Sequence, residues 1–395
     1  MHFSHRTGDQ RLNALTIRSQ ELKGRGISIS HLNDSNPTHF GMSVHGHDFR
    51  YIANPRGSIA SREILAAYLS RRYGCEINAQ QLYLLNSTSQ AYAWLMMLLC
   101  DPEDKVLYPK PGYPLIESIC ALTGVECMPY RMSYDGSWVI DYVSISDALE
   151  RCNYDGAEHP IKAIVLINPN NPTDSYVKSE ERKRIVDLCR QYGVSIIADE
   201  VFYDFALEPF GANKRLAGES SVLTFALDGF SKMLAAADVK VGWIYVSGPD
   251  NEVVQAQQRL DIIADDFLPM STLITQQIPA LLEKADSQTA LIHERCVSNM
   301  QWLREYVETS TQLGVVSVLR AEGGWSALLR YPSSIEDDEL GLALLNQAHA
   351  MSAPGYFFDF DSNGYMSISL LPETENFRKN VKTVVDAIER LITAE

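Results

Sequence analysis

The sequence predicts an α/β fold: a large domain with a mostly parallel sheet flanked by helices, plus a smaller α+β domain. Three observations predict it. Short apolar, β-branched runs (KAIVLIN at 162–168, VSIIADE at 194–200, VGWIYVSG at 241–248) alternate with helix-patterned segments through the middle of the chain. The chain has 395 residues, more than one compact core usually holds. Its last hundred residues change character: a long helix (287–309), a strand pair around Gly323-Gly324, and an amphipathic closing helix. The expected division is an N-terminal segment at 1–48 that packs with the small domain, a large domain at 49–290 and a small C-terminal domain at 291–395.

The elements follow in order. GSIASREILAAYLSRRYG (57–74) reads as a helix, and QAYAWLMMLLC (90–100) as an apolar helix buried on most sides. DKVLYPKPGYP (104–114) is a strand running into a loop locked by Pro and Gly. KAIVLIN ends in the turn-rich PNNPT. In VKSEERKRIVDLCRQYG (177–193), Ser179 is a candidate cap, Ile185, Leu188 and Cys189 fall at helical spacing, and Gly193 ends the helix. VSIIADE, SVLTFALDGFSK and VGWIYVSG are further strands, and VVSVLRAEGGWSALLRYP (315–332) is an antiparallel pair.

Composition excludes several functions. A formal charge of −16 argues against a nucleic-acid backbone as partner. No apolar stretch approaches the 18 residues a membrane span needs, and the first 26 residues lack the apolar core of a secretory signal. The seven cysteines show no CxxC pair, so they read as reduced thiols of a cytoplasmic protein. His45 and His47 lack neighbouring Cys or acidic ligands, so no metal site is expected.

In an open parallel sheet, ligands sit beyond the carboxyl ends of the strands. Five exits carry polar or aromatic groups: NSTSQA, PKPGYP, NPNNPT, ADEVFYD and DGFSK. Each has a plain structural reading. Ser87, Thr88 and Ser89 can cap the following helix, or bind an anion at its N-terminus. Asn171 can start a turn, Tyr113 can be core or a stacking platform, and Asp199 can be a cap or a carboxylate awaiting a partner. Lys232 alone reads as a lysine whose ammonium reaches water. In chain order, however, they match one chemistry. Hydroxyls at a helix start hold a phosphate, a ring stacks on a flat heterocycle, an Asn donates to a phenolate oxygen, an Asp keeps a ring nitrogen protonated, and a Lys forms an imine. Pyridoxal 5′-phosphate (PLP) requires that set.

With those residues, the chain resembles the fold-type I PLP-dependent enzymes of aminotransferase class I/II over roughly residues 30 to 390. The family's lysine segment is matched by Gly229, Phe230, Ser231 and Lys232, followed by Lys240, Val241 and Gly242; its NPTG by Asn171-Pro172-Thr173-Asp174; its D-E-apolar-Tyr by Asp199-Glu200-Val201-Phe202. The resemblance implies that Lys232 and Asp199 are catalytic. It implies that Ser87, Thr88, Ser89, Tyr113, Asn171, Phe202, Tyr203, Ser231 and Lys240 bind the cofactor, and that Tyr51 reaches the neighbour's phosphate in a homodimer. Four departures stand out. Lys240 replaces an Arg, Gly229 a Ser, Phe202 a Tyr, and Ser367 the Arg that grips the substrate α-carboxylate, in Gly364-Tyr365-Met366-Ser367-Ile368-Ser369. DSNPTHFG (34–41), ANPRGSIASRE (53–63) and PGYFFDFDSNGYMSISLL (354–371) resemble a branch of the family that lacks that Arg. The resemblance implies that Asn36, Gly41 and Ser367 fall on the substrate side, with the carboxylate held by Arg330 as substitute anchor or by backbone N–H groups, or with an unusual substrate. The Tyr356–Phe360 aromatics are expected to be small-domain core or pocket wall. The expected function is a PLP-dependent aminotransferase acting on an amino acid. The alternatives are elimination, replacement, cyclisation or carbon–carbon bond formation on the same fold and, more remotely, a non-catalytic PLP-binding sensor.

Overall fold

The computed structural model describes residues 13–33, 54–209 and 214–394. Asn36, Gly41 and Tyr51 lie outside the described residues, as do His45 and His47.

In chain order the strands are β1 Ser30–His31, β2 Leu82–Leu85, β3 Lys105–Lys110, β4 Glu126–Tyr134, β5 Trp138–Ile140, β6 Ile161–Ile167 and β7 Ser195–Asp199. After them come β8 Thr224–Gly229, β9 Gly242–Ser247, β10 Ser317–Val318, β11 Ser326–Arg330, β12 Ala350–Met351, β13 Ala353–Pro354 and β14 Tyr365–Ser369. The helices are α1 Ala14–Gly24, α2 Ile59–Tyr73, α3 Thr88–Leu99, α4 Leu115–Thr123, α5 Tyr142–Cys152, α6 Ser179–Tyr192 and α7 Phe230–Met233. They continue with α8 Asp250–Asp266, α9 Thr272–Thr275, α10 Ile278–Thr309, α11 Asp337–Ala343 and α12 Thr374–Ala394.

The central sheet has eight strands in the order β2-β9-β8-β7-β6-β3-β4-β5. Strands β8, β7, β6, β3 and β4 run parallel, so β3, β6, β7 and β8 reach one edge of the sheet with their carboxyl ends. β9 is antiparallel to both β8 and β2, and β5 is antiparallel to β4. The inner strands are apolar because both faces are covered: β7, β8 and β9 are buried at every position. Three cores flank this sheet among the described residues, one under α3 and α8, one under α5 and α6, and one under α2 and the start of α10. A four-stranded sheet, β10-β11-β14-β13, packs with α10 and α12 around a further core.

Local chemistry sets the ends. Gly193 closes α6 in the left-handed conformation at φ 66, as expected. Ser179 is the first helical residue and not the cap; instead the Glu181 carboxylate accepts the backbone N–H of Lys178 at 2.8 Å. Residue 290, the expected domain boundary, lies inside the 32-residue α10, a single helix that serves both sheets. No helix among the described residues is long and apolar enough to cross a membrane.

Candidate active site

The carboxyl-end edge of the sheet opens into a cavity of about 420 Å³. Ser87 N-caps α3, its hydroxyl accepting the Gln90 N–H at 3.2 Å, so Thr88 and Ser89 supply the first helical amides. Gly242 permits this arrangement: a Cβ there would lie 3.3 Å from the Ser87 carbonyl carbon and 3.4 Å from the Thr88 nitrogen. The start of β9 thus lies against the helix N-terminus, whose partial positive charge suits an anion. Ser231 and Lys240 line the same cavity.

Asp199, the last residue of β7, is 6% exposed. Its carboxyl accepts the Tyr92 hydroxyl at 3.0 Å and the Val201 N–H at 3.3 Å. Burial pushes its pKa up to about 6, with those hydrogen bonds and Lys232 opposing the rise. Such a group ionises fully when a cation faces it. Lys232 sits in α7, anchored by the buried Phe230 and Met233 on either side. Its Nζ lies 5.2 Å from the Phe202 ring centroid and 5.1 Å from that of Trp325. Burial lowers its pKa to about 8, against the pull of Asp199. The amine and the acid therefore share one low-dielectric enclosure, flanked by an anion cradle and by Tyr113 and Asn171. This donor set fits PLP: a cradle for phosphate, a buried acid for a ring nitrogen, and a depressed amine for an aldehyde.

The cavity gathers Ser87, Thr88, Ser89, Tyr113, Asn171, Asp199, Phe202, Ser231, Lys232, Lys240 and Ser367 from the residues picked out in the sequence. Phe358, one of the expected wall aromatics, lines it too. Two picked residues are elsewhere. Tyr203 lies behind the cavity, its ring 4.3 Å from the Arg215 guanidinium and edge-on to Tyr176 at 5.3 Å, so it does not replace the phenol missing at Phe202. Arg330 is exposed and lines a separate cleft with Pro332, Ser362 and Tyr365. The physical reason is strand direction: Ser326 starts β11 at the cavity, and four residues further on the strand has travelled roughly 13 Å. Arg330 therefore lines a different cleft and does not anchor a carboxylate in the cavity.

Sequence reasoning missed Tyr92, Asn33, Trp325 and Ser326, all at or against the site. Tyr92 had a weak signal, a phenol five residues after the Ser87 cap in an otherwise apolar helix. Asn33 had none.

Beneath the site lies a buried ion network. Arg215 meets Asp204 at 2.8 Å, Asp228 at 3.2 Å and Glu200 at 3.9 Å. Tyr73 donates to Asp228 at 2.8 Å, and Arg72 pairs with Asp204 at 2.8 Å. Glu200 directly follows β7 and Asp228 belongs to β8, so one guanidinium ties together the two strands that present Asp199 and Lys232.

Residues 36–388 match the family model for aminotransferase class I and II. Glutamate-pyruvate aminotransferase AlaA of Haemophilus influenzae is 26% identical over 369 residues, covering 89% of this chain and 88% of that protein. S-alkyl-thiohydroximate lyase SUR1 of Arabidopsis thaliana is 30% identical over 239 residues, 58% of this chain; the match spans 48% of SUR1, about half its length. Among solved structures, the alanine aminotransferase of Pyrococcus furiosus superposes with a TM-score of 0.85 at 20% identity, covering 98% of this chain and 100% of that one, a likeness of fold. The chain thus belongs to the aminotransferase class I and II family and is a PLP-dependent transferase of fold type I.

Proposed function

We propose that the protein moves an amino group between a donor of amino-acid type and a 2-oxo acid acceptor, with Lys232 as its acid–base centre. The observation that carries this reading is the enclosure of Lys232 and Asp199 in one cavity beside the N-terminus of α3. When bound, PLP supplies an electron-accepting ring and an aldehyde that joins to amines. The Ser87, Thr88 and Ser89 amides and hydroxyls, with Ser231, hold the phosphate, and Lys240 neutralises it as a point charge where an Arg would offer a fork. Tyr113 would cover one ring face. Asn171 would donate to the ring oxygen, with Phe202 standing where the family has a phenol. Asp199 would hold the proton at the ring nitrogen.

Lys232 would hold the cofactor's aldehyde, and its amine, once free, would take the proton from the donor's Cα. Its low pKa suits both tasks. At pH 7 the neutral fraction of an amine rises from roughly one in 3,000 at the ordinary value to roughly one in ten at the lowered one. The aromatic walls Phe202 and Trp325 exclude water around that amine.

Two further parts of the reading concern the whole protein. It works as a homodimer, with Tyr51 directed at the neighbour's phosphate and Asn36 and Gly41 on the substrate side. It resides in the cytoplasm, a reading that seven free cysteines support.

The test is chemical. Borohydride reduction of the holoenzyme followed by peptide mapping should place pyridoxyl on Lys232, and Lys232→Ala should lose both the adduct and amino transfer. Pyridoxyl on Lys240 would overturn the assignment.

A further inference from the structure

Helix α3 brings a second polar group to the site, one turn beyond the anion cradle. The helix is otherwise packed through apolar side chains: Ala91, Trp94, Leu95 and Met96 are buried. Tyr92 is buried among them, 1% exposed, yet it carries a hydroxyl. A buried hydroxyl needs a partner, and this one donates to Asp199 Oδ2 at 3.0 Å. The other carboxyl oxygen, Oδ1, accepts the Val201 N–H at 3.3 Å. One bond on each oxygen fixes the plane of the carboxyl group, and an ionised carboxylate keeps further lone pairs for a donor in the cavity. Thr88 lines the cavity four residues before Tyr92, and so on the same face of the helix. One rigid element thus carries both the amides that suit an anion and the phenol that holds the acid.

Electrostatics give the phenol a second task. Burial pushes the Asp199 pKa up to about 6, and the Tyr92 hydrogen bond leads the influences that oppose the rise, ahead of the Val201 N–H and Lys232. The neighbouring Glu200 acts in the same direction as burial. Burial, and then the Asp199 charge, hold Tyr92 itself well above the ordinary phenol range. Above pH 6 the carboxylate is an acceptor only, so the proton in the bond belongs to the phenol. Tyr113 faces both members of the pair and Tyr130 faces Tyr92; burial raises both phenols, so neither brings a charge. A phenylalanine at residue 92 would fill the same space and do none of this.

We propose that Tyr92 is a positioning residue for the reaction: its hydroxyl aims the Asp199 carboxylate into the cavity and keeps it ionised, so that a cofactor ring nitrogen facing it retains its proton. The inference rests on the proposed function only in placing that nitrogen at Asp199.

The test is Tyr92→Phe, which removes one hydroxyl and keeps the ring that packs there. In the cofactor-free full chain, Asp199 should bind its proton about tenfold more tightly in the variant. Its loss of stability with rising pH, read by urea denaturation, should therefore continue about one pH unit further than in wild type. In an Asp199→Asn background that pH-dependent difference should vanish, whereas a packing defect would persist at every pH. In the holoenzyme loaded with isotope-labelled cofactor, the ring-nitrogen NMR signal should move from the pyridinium toward the neutral pyridine position, because the more basic carboxylate draws the shared proton to itself. There kcat should fall at least about tenfold, with KM within about threefold. A stability profile with the wild-type pH dependence, or a ring-nitrogen signal that moves in Asp199→Asn and not in Tyr92→Phe, overturns the inference. A signal unmoved in both variants takes the ring nitrogen away from Asp199 and counts against the proposed function, while the cofactor-free titration still decides what Tyr92 does to the acid.

Discussion

At Lys232 burial acts against the ammonium, and the consequence is measurable without any substrate. The ordinary pKa near 10.5 falls to about 8 in the folded chain, chiefly by desolvation. Between those values the unfolded chain binds a proton that the folded one does not. Folding stability therefore rises with pH across that window, and the full penalty applies below it. For the cofactor-free protein the penalty is at most about 3 kcal/mol. Lys232→Met should be the more stable protein at pH 7, and the difference should shrink toward pH 10.5. Urea denaturation of both proteins at several pH values checks this, and a difference that is constant with pH would show that Lys232 is not desolvated. Asp199 has the opposite sign. Its pKa is raised to about 6, so its contribution is fully present below about 4 and is lost as pH rises through 6. Asp199→Asn should remove that loss in the cofactor-free protein and abolish activity in the loaded one, because an amide cannot hold a positive ring nitrogen. Equal pH profiles for wild type and variant, or unchanged turnover, would refute this role.

Among the elements, β7 and β8 carry the site, and Arg215 is what couples their ends. Removing one partner from a buried ion cluster leaves charges uncompensated, at a cost of about 3–5 kcal/mol. Arg215→Met should lower stability by that amount, and adding Asp228→Asn should restore part of it, since Asp228 would no longer carry an unpaired charge. Equilibrium unfolding of the three proteins decides the matter; a loss under about 1 kcal/mol for Arg215→Met would mean that the cluster is slack. No sequence pattern announces this tie, because Arg215, Asp204 and Asp228 lie on different loops and strands, and each alone reads as a surface charge. The strand exits were readable for the converse reason: a buried apolar run that stops at Asp199 or Asn168 marks where the sheet meets its ligand edge. The reversed direction of β9 was not readable, since a strand buried on both faces shows the same apolar run whichever way it points. Ser326 was hidden by its smallness. Arg330 misled because a cation near a motif says nothing about how far its strand carries it.

For the molecule as a whole, one stretch of surface bears on the proposed pairing. At the end of α8 and the start of α9, Ile262 is 64% exposed, Phe267 51%, Leu268 69% and Leu273 40%. Isolated exposed apolar side chains are ordinary, but four within a dozen residues of one helix end and the next helix start are more than isolated exposure and suit an interface. Leu268 also holds a positive φ of 64, a conformation that costs a branched side chain free energy unless a contact offsets it. A second copy of this chain is the partner the proposed function calls for, and burying these side chains would stabilise the pair through apolar area. Neighbouring Asp265 and Asp266, on a chain of formal charge −16, make unselective association unfavourable, so the apolar contact has to be specific. Sedimentation velocity of the wild-type holoenzyme should therefore show a species of two chains. Leu268→Asp combined with Ile262→Asp should raise the dimer dissociation constant by at least about 100-fold, since charges would have to enter an apolar contact. Activity should fall in step with the dimer fraction if a residue such as Tyr51 crosses to the neighbour's cofactor. A fully active wild-type monomer, or a double variant that still sediments as two chains, would remove this face from the assembly.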